Sequence, residues 1–572
     1  MKSSITCVAT ILLLVGCLPA QTGRQTAPTF ELAFNRFYDH AEIGQILQRM
    51  QATWPAFLSL DVIGTSVGGR EIWVMTVNNP NTGAETEKAA IYIDANIHGN
   101  EVQGAEVCLY TLWYLMENYG KLERITTLID ERVFYIVPTV NPDGRDHWFH
   151  AANTSSSSRT GIAPVDSDRD GVADEDPPND LDGDGSITQM RKRVTKDATH
   201  KTNPDDPRFM VRCKPGEAGE FIMLGSEGLD DDGDGRVNED GVGGYDMNRS
   251  NPFDWQPEYV QFGAGPYPLY WPETRSVAEF LFARPNIAAL QSYHNAGGMM
   301  LRGPGAESVP EYPRADLAVY DELGKKGERQ LPFYRYLIIH KDLYTVHGGF
   351  VNLGAEGLGI ISFTNELWAS PQAFNTKDRQ PNDREDFNDL VMMGSFLTDW
   401  KPYDHPEYGP IEIGGWNMWS SRVPPSFMLE ELCHRNMAFT LLHAESMPKP
   451  EWGPSTIKAI SPGLFQVRVT LKNPKLIPTR TALAAQKKIG LPDFVQISVP
   501  GTAKVVAAGI VRGAWPHESV DPIENELDRI ALESGLPSRG DVTLEWIILG
   551  DGPYDVLYLS EKGGRLTATL GL

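Results

Sequence analysis

The sequence predicts an α/β domain with a mixed, mostly parallel sheet flanked by helices, followed by a small all-β sandwich. Three observations carry this. Short β-branched runs alternate with stretches of helical periodicity between about residues 89 and 444. Pro448, Pro450 and Pro454 then punctuate the chain, and beyond them short alternating runs separated by turn residues replace the helical pattern. At 572 residues and 41% hydrophobic content the chain can bury a large core.

In chain order, the first element is an export signal over residues 1–20. Met1-Lys2-Ser3-Ser4 precedes an apolar run from Ile5 to Val15 that is too short to span a bilayer, and small residues close it. Two cleavage points compete. Cutting after Gly16, as in a bacterial lipobox, leaves a lipid-bearing Cys17; cutting after Ala20 releases a soluble protein. Either way the protein is exported, to the periplasm, cell surface or medium. No later apolar run reaches the ~18 residues of a transmembrane helix. A net charge of −25 repels phosphates and argues against nucleic-acid partners. Past the signal only Cys108, Cys213 and Cys433 remain, too few for a disulfide framework.

Residues 89–97 read as a buried strand. A helix follows, because Val102, Ala105, Leu109, Leu112 and Met116 recur at three- and four-residue spacing. Arg132–Val140, Asn286–His294 and Leu358–Phe363 are further buried strands, Glu273–Phe282 an intervening helix and Pro425–Ala444 the last helix of a domain spanning about 28–450. The runs Phe465–Leu471, Phe494–Ser498, Thr543–Leu549 and Asp555–Leu559 predict the sandwich over 456–572. The aromatic-rich stretch from Trp255 to Trp271 reads as wall packing.

The acidity is local. Asp166–Asp184 and Glu227–Asp240 hold sixteen acidic residues, inside an insertion at about 147–244. Asp166-x-Asp168-x-Asp170-Gly, Asp180-x-Asp182-x-Asp184-Gly and Asp230-x-Asp232-x-Asp234-Gly share one plan, in which alternate carboxylates converge on a hard cation and a glycine permits the turn. None has Glu at the twelfth position of an EF-hand, so they read as shorter calcium loops that staple the insertion.

The chemistry gathers elsewhere. His98-x-x-Glu101 lies where a strand meets a helix, and His294 ends a second buried strand, so both belong to the edge where strand C-termini collect. Two histidines and one glutamate leave the fourth position of a tetrahedral Zn²⁺ open, as a hydrolytic zinc requires.

With these residues in order, the chain resembles the zinc carboxypeptidases of the carboxypeptidase A and B type. The landmarks are His98-x-x-Glu101, Asn141-Pro-Asp-Gly144, Asp246-Met-Asn248-Arg249, His294, Tyr344 followed by Gly348-Gly349, and Ser362-Phe-Thr-Asn-Glu366-Leu367. The resemblance implies that His98, Glu101 and His294 hold zinc and that Glu366 is the general base for its water. It further implies that Asn248 and Arg249 hold the substrate's terminal carboxylate, that Tyr344 closes over it, and that Val351 lies at the specificity position, where an apolar residue argues against Lys or Arg. For the arginine that polarises the scissile carbonyl, Gln189-Met-Arg191-Lys resembles the family's segment. Arg191 is therefore the choice, with Arg193 and Arg145 as rivals.

The function implied is an exported metallocarboxypeptidase that hydrolyses C-terminal peptide bonds of peptides or proteins. A cell-wall peptide carboxypeptidase or amidase on the same fold is the alternative, and an inactive calcium-stabilised surface-binding protein a third reading. His147, His150, His340 and His347 read as non-ligands, and Cys108 as core.

Overall fold

The computed structural model describes residues 27–166, 169–241, 243–513 and 517–571. The segment 1–20 read as an export signal, with Cys17, and Asp168 of the first acidic loop lie outside the described residues. The described residues begin with α1 (His40–Thr53), β1 (Leu58–Thr65), β2 (Glu71–Val77), β3 (Ala90–Ala95), α2 (Gln103–Asn118), α3 (Glu123–Glu131), β4 (Val133–Val137) and α4 (Pro142–His150). The insertion then supplies β5 (Gln189–Arg193), β6 (His200–Thr202), β7 (Met210–Arg212) and β8 (Phe221–Ser226). Next come α5 (Pro272–Phe282), β9 (Ile287–Asn295), β10 (Met299–Arg302), α6 (Arg314–Gln330), β11 (Arg335–Ile338), the single turn α7 (Phe350–Asn352) and β12 (Ile361–Leu367). They are followed by α8 (Asp383–Leu390), β13 (Leu397–His405), β14 (Gly409–Trp416) and α9 (Leu429–Glu445).

The central sheet has eight strands in the order β1-β2-β4-β3-β9-β12-β10-β11. The pairs β3/β4, β3/β9, β9/β12 and β10/β11 are parallel, and β1/β2, β2/β4 and β10/β12 antiparallel, so the expected mixed, mostly parallel sheet is present. Both faces are covered, which is why β3 and the first half of β9 read as nearly unbroken apolar runs. Ile91 and Ile93 of β3 face a core with Leu109 of α2 and Phe439 of α9. Ala90 and Tyr92 face the opposite core, with Phe280 and Leu281 of α5. Each fully buried Ile or Leu contributes roughly 1.5–3 kcal/mol, so α2, with an almost unbroken buried stretch from Gln103 to Leu112, is fixed firmly against the sheet.

A second sheet was not predicted. Its six strands run β13-β14-β5-β8-β6-β7, all antiparallel, over a small core of Met190, Ile411 and Ile413. Strands of three to nine residues with sequences as polar as Gln-Met-Arg-Lys-Arg give little periodicity to read. The aromatic stretch also departs in part from the wall-packing expectation. Trp271 is buried and stacks on Tyr245 with ring centroids 3.7 Å apart, whereas Tyr259 and Phe262 are 89% and 73% exposed.

After Pro450 come β15 (Glu451–Ser461), β16 (Leu464–Asn473), α10 (Ala482–Lys487), β17 (Asp493–Ser498), β18 (Lys504–Arg512), β19 (Ser519–Pro522), β20 (Arg529–Leu532), β21 (Gly540–Leu549), β22 (Tyr554–Ser560) and β23 (Gly564–Leu570). They form two antiparallel sheets, β15-β16-β21-β18-β19 and β20-β17-β22-β23, that share one core around Trp546, Val467, Val495 and Tyr558. This layer is pinned to the first by Asp316 of α6, whose buried carboxylate accepts the backbone N–H groups of Ala482 and Leu483 at 2.9 and 2.8 Å.

Candidate metal centre and catalytic cleft

Three parallel strands bring the candidate residues to one sheet edge. β3 ends at Ala95, and the turn beyond it carries His98 and Glu101 before α2 begins. The Asn96 amide braces that corner by donating to the carbonyls of His98 and Gly99 at 2.6 and 3.0 Å. Gly99 is required there, because a Cβ would lie 2.3 Å from the Ser158 carbonyl oxygen and 2.5 Å from the Gly144 backbone. His294 is the penultimate residue of β9, and in the β9/β12 register it stands opposite Glu366.

His98, Glu101 and His294 are all at most 3% exposed, and their ligand atoms lie within 4.8 Å of one another. Oε2 of Glu101 is 2.9 Å from His294 Nδ1 and 3.1 Å from His98 Nδ1, and the two Nδ1 atoms are 3.2 Å apart. The far nitrogen of His98, Nε2, meets Oδ1 of Asp246 at 3.0 Å, which fixes the ring's orientation and turns Nδ1 to the cluster. Burial disfavours charge on Glu101 and Asp246, but the surrounding cationic groups outweigh it. His98 and His294 hold Glu101 well below the usual carboxylate range, and Arg249, His98 and Arg159 do the same for Asp246. Two imidazoles and a carboxylate converging with a carboxylate behind one imidazole fit a zinc ion by chemistry and by position. Glu366 differs. Loss of surrounding water and then the charge of Glu101 push it up to about 7.

The other candidates fall on two sides. Asp246, Asn248 and Arg249 form one tight turn in which Asp246 Oδ1 accepts the Asn248 N–H at 2.9 Å, and Asn248 Oδ1 accepts the N–H of Phe350 at 2.8 Å. That bond links the turn to the segment carrying Tyr344, which is 58% exposed, and Val351, which is buried with Leu301, Ile339 and Val346. Arg191 is placed elsewhere. It lies on β5 of the second sheet, paired with Glu412 at 2.6 Å and stacked over Phe221 and Trp400. Arg193 pairs with Glu220, and Arg145 is buried against Glu106. Arg159 reaches the cluster more tightly than any of these, at 2.9 Å from Oε1 of Glu101 and 3.1 Å from Oδ2 of Asp246. Only its position after the serine run 155–158 could have drawn attention to it.

In each acidic loop the first aspartate accepts backbone N–H groups three and five residues on: Asp166 from Arg169 and Gly171, Asp180 from Gly183 and Gly185, Asp230 from Gly233 and Gly235. Asp230, Asp232 and Asp234 cluster, and Asp180 and Asp182 cluster with the buried Glu227, which the loop pattern did not include. A third cluster joins the two stretches through Asp176, Asp232 and Glu239. Asp184 accepts from Ser186 N and Thr398 Oγ1, and Lys401 pairs with Asp182. Asp166 and Asp170 belong to none of these clusters among the described residues.

The family model described as zinc carboxypeptidase matches residues 43–182 and 209–388, more than half of the chain. The chain belongs to the zinc carboxypeptidase family. A second model, for a domain of unknown function, matches 449–571. Carboxypeptidase D of Rattus norvegicus is 31% identical over 160 residues, covering 27% of this chain and 12% of that protein. Carboxypeptidase M of Mus musculus is 34% identical over 108 residues, 19% of this chain and 24% of the relative. The inactive metallocarboxypeptidase ECM14 of Saccharomyces cerevisiae is 25% identical over 122 residues, 21% and 28% of the two chains. The chain thus spans a quarter or so, or less, of the length of these relatives. Among solved structures, thrombin activatable fibrinolysis inhibitor aligns over 73% of this chain and 79% of its own at 18% identity, with a TM-score of 0.44. The zinc carboxypeptidase match omits 183–208 and ends at 388, so β5, β6, β13 and β14 of the second sheet lie outside it.

Proposed function

We propose that this protein is an exported zinc metallocarboxypeptidase that removes C-terminal residues from peptides or proteins. The observation that carries the reading is the meeting of His98, Glu101 and His294 within 4.8 Å, with Glu366 opposite His294 on the neighbouring strand. His98, Glu101 and His294 hold the zinc, and when bound it supplies Lewis-acid polarisation and a water acidified toward neutrality. Glu366, opposite His294 on the neighbouring strand, takes a proton from the attacking water and returns it to the leaving amine. Asn248 and Arg249 bind the terminal carboxylate and the exposed Tyr344 closes over it. Val351 lines an apolar site for the departing side chain. Arg159, not Arg191, is the guanidinium placed to stabilise negative charge on the carbonyl oxygen.

The finer assignments rest on the sequence. The N-terminal segment directs export, with or without lipid on Cys17. Calcium held by the clusters around Asp180, Asp182 and Glu227 and around Asp230, Asp232 and Asp234 staples the insertion. Residues 28–450 and 456–572 form the catalytic and sandwich domains. The testing experiment is hydrolysis of a peptide mixture read by mass spectrometry, with wild type and Glu366→Gln. Wild type is expected to release single C-terminal residues and the variant to bind zinc but turn over at least about a thousandfold slower. Internal cleavage by wild type, or normal turnover by the variant, overturns the reading.

A further inference from the structure

Arg422 has no part in the chemistry above, yet it stands beside it. It belongs to the loop between β14 and α9, beyond residue 388 where the family match ends. Its Nη1 donates to the carbonyl of Asn295, the residue after His294, at 3.1 Å, and lies 3.9 Å from Oε1 of Glu101. Its Nε reaches toward the Ser155 carbonyl at 3.5 Å. The loop is held firmly. Val423 and Met418 are buried with Trp148 and with Val102, which directly follows Glu101.

Two guanidiniums therefore flank the Glu101 carboxylate, and their partners differ. Arg159 is ion-paired with Glu101 and Asp246, on the side of the Asn248–Arg249 turn where a terminal carboxylate is read. Arg422 lies on the Asn295 side. Among the described residues its only carboxylate within 4 Å is Glu101, and a quarter of the side chain is exposed. A guanidinium offers five N–H donors in a fixed fork, and two main-chain carbonyls leave several of them unused. With the terminal carboxylate read at the Asn248–Arg249 turn, Arg422, bonded to the Asn295 carbonyl, is left to the acyl part of a peptide, whose polar atoms are main-chain carbonyl oxygens.

The same loop walls a pocket. Pro424 and Pro425, with Trp419, Phe37, Phe149 and Phe396, line a space of about 330 Å³, whose wall also includes Arg36, its charge met by Glu42 at 2.6 Å. Pro424 is two residues from Arg422, so their Cα atoms are at most about 7.6 Å apart. A pocket of that size and lining takes an aromatic or branched apolar side chain.

We propose that Arg422 and this pocket form an acyl-side subsite: the guanidinium donates to a peptide carbonyl on the N-terminal side of the scissile bond, and the pocket takes an apolar side chain from that part of the substrate. This rests on the carboxypeptidase reading and narrows it to peptides with an apolar residue upstream of the cut.

The test uses the full-length zinc-loaded protein in the Glu366→Gln background, where bound peptides stay intact. Calorimetry compares three blocked peptides that share one C-terminal residue: one with a single acyl unit, one extended upstream by Phe and Leu, and one extended by Asp and Gly. Adding Arg422→Ala is expected to weaken the Phe-Leu peptide about 10–100-fold and the shortest peptide at most about threefold, with Arg422→Lys in between. Adding Trp419→Ala is expected to abolish the preference for Phe-Leu over Asp-Gly. Zinc stoichiometry and melting temperature, measured on each variant, report folding. Equal weakening of all three peptides by Arg422→Ala, or no weakening, overturns the subsite. Failure of the Glu366→Gln parent to bind any of the three, with zinc in place, overturns the carboxypeptidase reading and the subsite with it.

Discussion

Asp246→Asn isolates the contribution of one charge behind the metal cluster. The carboxylate meets His98 Nε2 (Oδ1, 3.0 Å), the Asn248 N–H (Oδ1, 2.9 Å), Arg159 Nη2 and Nε (Oδ2, 3.1 and 3.4 Å) and, more loosely, Arg249 Nη2 (Oδ2, 3.8 Å). Asparagine has the same shape and caps a turn about as well as aspartate, so the Asp246–Arg249 turn survives the exchange. The charge on the His98 hydrogen bond is lost, and so is one of the two carboxylates paired with Arg159. A hydrogen bond to a charged group is worth about 1.5–3 kcal/mol, which converts to a roughly 10–150-fold change in an equilibrium constant. Carboxylates behind metal-bound imidazoles elsewhere show losses of about 10–100-fold. Zinc affinity, measured by competition with a chelator at pH 7.5, should therefore fall about 10–100-fold, while the circular-dichroism spectrum and the melting temperature of the zinc-saturated protein stay close to wild type. An affinity within twofold of wild type would refute the role of Asp246 in orienting His98.

Two further outcomes are expected. Glu273 is buried, its Oε1 accepts the Val67 N–H at 3.0 Å, and burial followed by the nearby charge of Asp143 raises it to about 7. Its folded-state value lies above its ordinary 4.5, so the contribution of the group to stability is complete below about 4.5 and is lost as pH rises through 7. Glu273→Gln should therefore gain about 2.5 kcal/mol relative to wild type between pH 5 and pH 8.5 in denaturant titrations; equal differences at both pH values would contradict this. Removal of calcium with a chelator selective over zinc should lower the melting temperature by a few degrees, since a cation at about a hundred times its Kd stabilises by ~2.7 kcal/mol. An unchanged melting temperature would mean that the acidic clusters stand without a cation.

The parts of this molecule legible in the sequence are those where burial leaves a periodic mark. β3, β4 and β9 are buried along their whole lengths, so short apolar runs, β-branched in β3 and β4 and Ile-Ala-Ala-Leu in β9, announce them, and the helix after His98 shows its apolar stripe. The meeting of His98, Glu101 and His294 could be read because the strand–turn–helix corner and the strand end fix where those side chains go. Arg159 could not be read, since it sits in an irregular Ser-rich segment and owes its position to the Gly99 N–H bonded to its own carbonyl and to Asp246, 87 residues on. Arg191 was drawn to the cleft by its local neighbours in sequence, yet the second sheet carries it away to Glu412, 221 residues on. The carboxylates that complete the acidic clusters, Glu227, Asp176 and Glu239, escaped for the same reason: tertiary folding brings them in from outside the repeated motif.

The most direct test is a crystal structure with anomalous diffraction data collected on both sides of the zinc absorption edge. The expected result is one strong zinc peak within bonding distance of Nδ1 of His98, Nδ1 of His294 and the Glu101 carboxylate, with Glu366 next to it and not bonded to it. Zinc-saturated crystals without a peak at those three side chains, or with the zinc bound by another set of residues, would contradict it.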